Sequence, residues 1–260
     1  MGRALIGGLL QAGHAASKIR VADAFAPSRE QCRELFSVQV YEQNLDAVVD
    51  ADVVVFAVKP QQLRDVAGQL ADTASDSVLY LSIAAGITIE HLQRWLGPTR
   101  SIVRCMPNTP ALVGSGAAAL CANARVSSPQ RALADSLLGA VGSAQWLEDE
   151  GLMDAVTAVS GSGPAYFFLF IELIEKIAGE LGLPQTLARS LAIDTALGAS
   201  RLAHSSEQAP AQLREQVTSA GGTTASALAV FEQRGLEDLV REALTAARDR
   251  SIALARQVES

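Results

Sequence analysis

The sequence predicts an α/β domain with a doubly wound parallel sheet over residues 1–150, then an all-helical domain over 151–260. Three observations carry that expectation. Val53-Val54-Val55-Phe56-Ala57-Val58 is a nearly continuous apolar run, the pattern of a strand buried on both faces beneath helices. Short strand-like runs alternate with helical patterns through the first half. After about residue 150 the β-branched runs stop and long helical periodicities replace them.

Taken in order, Ala4 to Gln11 has Leu5, Leu9 and Ala12 at helical spacing and ends at Gly13. Ile19 to Ala22 reads as a strand ending at Asp23. Ser28 reads as the N-cap of a helix through Phe36, and Val38 to Val40 as a strand. Asp52 to Val58 is the strongest strand. Pro60 opens a helix at a position where proline is tolerated. Val78 to Ile83, Ser101 to Cys105 and Ala117 to Leu120 are further strands. A helix is expected over Glu150 to Val159. Pro164 to Gly182 is apolar nearly all round, which places it inside a core or between subunits. Pro184 to Leu202, Pro210 to Val217, Thr224 to Gln233 and Leu236 to Val258 complete the helices.

The chain is 49% hydrophobic and 19% charged, so it can bury a core. Its net charge of −7 argues against nucleic acid or an anionic membrane as partner. The apolar stretch 165–181 carries Glu172, Glu175, Lys176 and Glu180, which argues against a membrane span. No positively charged leader precedes an apolar core. Cys32, Cys105 and Cys121 have no paired spacing and read as reduced, buried thiols of a cytoplasmic protein, not as a metal site. His14, His91 and His204 share no motif and read as surface residues.

Three segments follow strands, where α/β sheets bind ligands: Ala57-Val58-Lys59-Pro60-Gln61, Ser82-Ile83-Ala84-Ala85-Gly86 and Cys105-Met106-Pro107-Asn108-Thr109-Pro110. Each reads either as an ordinary strand-end turn or as a loop that lets backbone approach a flat ligand. Lys59 is either a solvated lysine or a partner of a ribose or phosphate. In the second half, Ser160-Gly161-Ser162-Gly163-Pro164 reads as a glycine–hydroxyl turn with Ser162 as helix cap. Val217-Thr218-Ser219-Ala220-Gly221-Gly222-Thr223-Thr224 breaks one helix and starts another, since adjacent glycines each cost about 1 kcal/mol in a helix interior. It is either a capped loop or a nest of N–H groups for a carboxylate or phosphate. Hydroxyls and backbone donors without an acid–base pair suit a reaction whose chemistry a cofactor carries.

Ala57-Val58-Lys59-Pro60-Gln61, Met106-Pro107-Asn108-Thr109-Pro110, Ser160 to Tyr166 and Val217 to Thr224 together resemble the pyrroline-5-carboxylate reductase family, with similarity from Met1 to about Arg256. The resemblance implies an N-terminal Rossmann-type domain and a C-terminal all-α dimerisation domain. It implies NADPH (or NADH) as cofactor and reduction of L-1-pyrroline-5-carboxylate to L-proline. It also implies homodimers, commonly assembled as pentamers of dimers into a decamer. On this resemblance Thr224 is the catalytic candidate, bonding the ring nitrogen. Gly221, Gly222 and Thr223 hold the carboxylate, and Ser162 and Ser219 complete the pocket. Ser28 and Asn44 lie near the adenosine, and Gly2 matches the third glycine of the phosphate loop. Ala57, Val58, Lys59, Pro60, Ala84, Ala85, Met106, Pro107 and Asn108 line the ribose and nicotinamide. Asp23 suits a ribose 2′-hydroxyl, while Ser28 and Arg29 suit a 2′-phosphate.

Two departures stand out. Ala220 replaces a usual proline. The first strand and the first two glycines of the phosphate loop are absent, so the chain as written is expected to bind cofactor poorly. Two other readings remain open: a related imine or 3-hydroxyacid dehydrogenase, against which the position of Lys176 counts, and a truncated, non-catalytic dimeric binding protein.

Overall fold

Alternation along the strands decides which side chains face which layer. A computed structural model describes residues 1–72 and 77–257, and its first unit comprises residues 1–162 with 246–260. The elements run α1 (Gly2–Gln11), β1 (Arg20–Ala22), α2 (Ala26–Phe36), β2 (Gln39–Tyr41), α3 (Asn44–Ala47), β3 (Val53–Phe56), α4 (Pro60–Leu70) and β4 (Leu79–Ser82). They continue with α5 (Ile89–Leu96), β5 (Ser101–Met106), β6 (Gly116–Ala122), α6 (Ser128–Gly139), β7 (Gly142–Trp146) and α7 (Met153–Val156). A π-helical turn, Thr157–Gly161, follows α7.

Strands β3-β4-β5-β6-β7 form one sheet in that order, parallel except where β6 runs against β5. Strands β1 and β2 pair with each other, in parallel, as a sheet of their own. Helices cover both faces of the larger sheet. Phe56, Tyr80, Ile102, Ala119 and Cys121 meet α4 and α5 through Leu63, Ala67, Leu92 and Leu96. Leu79, Leu81, Val103, Cys105 and Leu120 meet α1 and α6 through Ala4, Leu5, Leu9, Ala134 and Leu138. Each fully buried Leu or Ile contributes about 1.5–3 kcal/mol.

Several expectations need correction. Val53, Val54 and Val55 are only half-buried, because β3 has one hydrogen-bonded neighbour. Ser28 does not cap α2: that helix begins at Ala26 behind Phe25, and the Asp23 carboxylate accepts the Phe25 N–H at 2.9 Å. His91 is buried, not on the surface: it completes the capping box of α5 with Thr88 and stacks on Trp95. The glycine–hydroxyl turn expected around Ser162 is a π-helical turn: Ser162 follows it with αR backbone angles, directly before α8, and its N–H donates to the Thr157 carbonyl at 2.8 Å. Strand β7, unforeseen from its Gly-Ser-Ala-Gln-Trp sequence, exists through its pairing with β6.

The second unit is residues 163–245. The division therefore falls after Ser162, and the end of the last helix returns to the first unit; the sequence places a single boundary near 150. The unit contains α8 (Gly163–Glu180), α9 (Gln185–Ser205), α10 (Pro210–Gln216), α11 (Thr223–Gln233) and the start of α12 (Leu236–Gln257). Val258, the expected end of α12, lies outside the described residues. Helices α8 and α9 pack on each other. Phe167, Phe168, Phe170, Leu173 and Ile174 of α8 and Leu187, Leu191 and Leu197 of α9 stay exposed on the single chain. The helical stretch Glu150–Glu180 is also long and apolar enough to cross a membrane on length and composition, with mean hydropathy 1.3.

Candidate active site

Because β3, β4 and β5 are parallel and in register, with Phe56 opposite Ser82 and Ser82 opposite Arg104, their chains leave the sheet at one edge. The structure thus brings together the loops 57–60, 83–86 and 106–108, foreseen separately. Ala57 and Lys59 are exposed there, Val58 and Pro60 half-buried, and Lys59 occupies the N-cap position of α4. Ala85 is exposed, whereas Ala84 and Pro107 are buried. The N-terminus of α1 reaches the same edge: a Cβ added at Gly2 would lie 3.2 Å from that of Ala57. No side chain caps α1, so its first N–H groups are open to an anion. Glycine at this close approach, and an uncapped helix end beside strand-end loops, fit a dinucleotide pyrophosphate.

Ser28 lies in the first turn of α2. Asn44, at the start of α3, donates from Nδ2 to Gln69 Oε1 at 2.9 Å. The Arg29 guanidinium turns back onto the carbonyls of Asp23 (2.7 Å) and Ala24 (3.0 Å), with Glu42 at 3.4 Å. These contacts hold it against its own loop.

Asn108 was foreseen as a cofactor contact, but its buried carboxamide is committed to its own chain. Oδ1 accepts the Ala117 N–H at 2.9 Å and Nδ2 donates to the Ser160 carbonyl at 3.0 Å. Met106 reaches over Gly161, where an added Cβ would come within 2.5 Å of its terminal methyl. An ion pair locks the strand that delivers this loop. Arg104, 5% exposed on β5, meets Glu150 at 2.8 Å, and the same carboxylate oxygen accepts the Ile89 N–H at the head of α5. The signal for it was a lone charge inside the run Ser101 to Met106. Burial pushes the Cys105 thiol far above its ordinary value and raises that of Cys121, the nearby Glu150 carboxylate adding to the latter.

A cavity of about 180 Å³ is lined by Ala85, Gly86, Thr157, Ser162, Arg250 and Ser251 among others. Ser251 donates to Asp154 at 2.6 Å, fixing the end of α12 to α7. Sequence reasoning missed Thr157, Arg250 and Ser251 as lining residues. Nothing local distinguishes these residues. A larger cavity of about 530 Å³ lies between α1, the end of α2 and residues 111–114, and its lining includes Met1 and Arg3 at the head of α1.

In the second unit, Thr218 closes α10 by donating to the Arg214 carbonyl at 2.6 Å. The chain turns through Ser219–Gly222, with Gly221 at φ 70°. The Gly222 N–H donates to the Ser219 carbonyl at 3.0 Å, so it is spent inside the turn and is not available to a carboxylate as foreseen. A Cβ at Gly222 would lie 2.5 Å from Ser219 Oγ and 3.1 Å from the Ser219 carbonyl oxygen, a close approach that a side chain would crowd. No side chain caps α11. Its first-turn donors, including Thr223 and Thr224, point out of the helix end, and Thr224 is half-buried.

Strand-end loops at one edge, a helix N-terminus beside them and helices on both faces define a nicotinamide-dependent oxidoreductase domain joined to a helical unit. Residues 1–86 match the family model described as NADP oxidoreductase coenzyme F420-dependent, and residues 150–254 match pyrroline-5-carboxylate reductase dimerisation. The chain is 50% identical over 258 residues to a pyrroline-5-carboxylate reductase of Pseudomonas aeruginosa, covering 99% of this chain and 94% of that one. It superposes on a pyrroline-5-carboxylate reductase of Coxiella burnetii with TM-score 0.93 at 40% identity, covering 97% and 94%. It superposes on the Plasmodium falciparum pyrroline carboxylate reductase, solved with NADP bound, with TM-score 0.87 at 30% identity, covering 98% and 94%. The chain belongs to the pyrroline-5-carboxylate reductase family, a family of NAD(P)-dependent oxidoreductases, and its dimerisation domain marks it for self-association.

Proposed function

We propose that this chain reduces L-1-pyrroline-5-carboxylate to L-proline with NADPH or NADH, the last step of proline biosynthesis, as a cytoplasmic homodimer that assembles further into a decamer, with no membrane or nucleic acid as partner. In this reading residues 1–150 hold the dinucleotide and 151–260 supply the dimer contacts and the substrate groups. When bound, the reduced nicotinamide supplies the hydride. Gly2 and the head of α1 face the pyrophosphate. Ser28 and Asn44 serve the adenosine side. Ala57, Val58, Lys59, Pro60, Ala84, Ala85, Met106 and Pro107 form the floor for the ribose and ring.

Thr224 is the catalytic candidate. Its hydroxyl oxygen accepts the N–H of the protonated imine, holding the ring so that the electrophilic carbon faces the donor. The imine is already cationic, so the step needs orientation more than a strong acid. The N–H groups of Gly221 and Thr223 hold the carboxylate. Gly222 shapes the turn, and Ser162 and Ser219 contribute hydroxyls. The observation that carries this reading is the uncapped head of α11, with Thr224 in its first turn, in a chain of this family.

The experiment is a steady-state assay with pyrroline-5-carboxylate and each reduced nicotinamide. Proline formation with at least one of them is expected. Absence of turnover with both overturns the reading and favours the non-catalytic binding protein.

A further inference from the structure

Pro164 is the second residue of α8, where proline is tolerated, and the Ser160 carbonyl just before that helix takes its donor from a distance. In an α-helical turn the Ser160 carbonyl would accept the N–H of residue 164, which proline does not have. The chain widens here into the π-helical turn Thr157–Gly161, and Asn108, 52 residues earlier, donates its Nδ2–H to the Ser160 carbonyl at 3.0 Å. Asn108 is itself anchored. The antiparallel register, with Met106 opposite Ala119, carries residue 108 toward Ala117, whose N–H binds Oδ1 at 2.9 Å. The side chain is 8% exposed, so neither bond competes much with water. Beside it, Met106 occupies the space that a side chain at Gly161 would take. One carboxamide therefore ties the loop after β5 to the turn that ends in Ser162.

We propose that Asn108 is a positioning residue: its carboxamide supplies the donor that Pro164 withholds from Ser160, fixing the Thr157–Ser162 turn against Met106, and it is not a ligand of the nucleotide. The catalytic part of this inference rests on the reductase reading above; the brace itself does not.

The test uses N108D, which keeps the acceptor for Ala117 but loses the donor, with N108A and the double variant N108A/P164A, in which residue 164 regains an N–H. Three quantities are read on the full chain: hydrogen exchange of peptides spanning 157–165, the dissociation constant for NADPH by nicotinamide fluorescence, and kcat and KM for pyrroline-5-carboxylate. Expected for N108D are faster exchange in 157–163, NADPH affinity within twofold of the parent, and kcat/KM for the imine reduced at least tenfold. N108A/P164A is expected to recover at least threefold of the loss in N108A. Unchanged exchange in both single variants overturns the brace. Loss of NADPH affinity in step with kcat/KM makes Asn108 a nucleotide ligand and overturns the proposal, as does failure of P164A to rescue. If N108A does not fold, N108D decides. If the parent chain itself lacks reductase activity, the functional reading fails while the exchange arm still judges the brace.

Discussion

On the proposed reading, the hydroxyl of Thr224 bonds the substrate ring. It stands in the first turn of α11, half-buried, behind a turn whose Gly222 N–H is already spent. Thr224→Ala removes a bond to a bound ring and leaves the partner unpaired, a cost of about 1–3 kcal/mol. We expect kcat/KM for the imine to fall roughly five- to 150-fold with NADPH affinity unchanged, and Thr224→Ser to recover most of it. Parent-like kinetics in the alanine variant would remove Thr224 from the site. Cys105 gives a residue-scale prediction for stability. Its thiol, 1% exposed, is held protonated by desolvation, whereas in the unfolded chain it ionises near its ordinary 9.0. Below pH 9 both states carry the proton and the thiol does not affect folding. Above it only the unfolded chain releases the proton, so the thiol's contribution falls by about 1.4 kcal/mol per pH unit. Urea unfolding between pH 8 and 10.5 should therefore show a shallower alkaline loss for Cys105→Ala than for the parent. Equal slopes would mean that the thiol ionises alike in both states.

At the scale of elements, the Arg104–Glu150 pair joins β5, the approach to α7 and the head of α5. Breaking one side of a buried pair costs about 3–5 kcal/mol, because the remaining charge is stranded. Glu150 retains some exposure, so Glu150→Gln should sit near the lower end, about 3 kcal/mol by urea denaturation. Its amide oxygen can still accept the Ile89 N–H, so the loss reports the charge and not the cap of α5. Replacing both partners as R104M/E150Q should recover at least half of the loss. A double variant as unstable as the single one would show that packing, not the stranded arginine, is responsible.

For the whole molecule, the second unit carries more apolar surface than one solvated copy should expose. Phe167, Phe168, Phe170, Leu173, Ile174 and Ile177 line α8, and Leu187, Leu191 and Leu197 add to it from α9. Monomers rarely leave contiguous apolar patches above a few hundred Å². Residues 150–254 match a dimerisation family, and we expect another copy of the chain to cover this surface. Sedimentation at micromolar concentration should find twice the chain mass or a multiple of it, with no lipid or detergent required. A folded species at the single-chain mass would overturn this.

The sequence by itself determined whatever depends on near neighbours. The apolar run ending at Phe56, the proline opening α4 and the glycine pair before α11 are local signals. They located the strand-end loops and the turn before α11 to within a residue or two. The partial burial of β3 was not legible, because burial depends on how many strands flank it. Strand β7 was not legible either, since its composition carries no β signal and only pairing with β6 makes it a strand. The same holds for the π-helical turn. Residues 160–164 read as a glycine–hydroxyl turn, and nothing in them announces a π-helical turn or the bond that its Ser160 carbonyl accepts from Asn108. A chain of 260 residues states its periodicities and punctuation outright. Which donor meets which acceptor across 52 residues is decided only when the register of β5 and β6 brings them together.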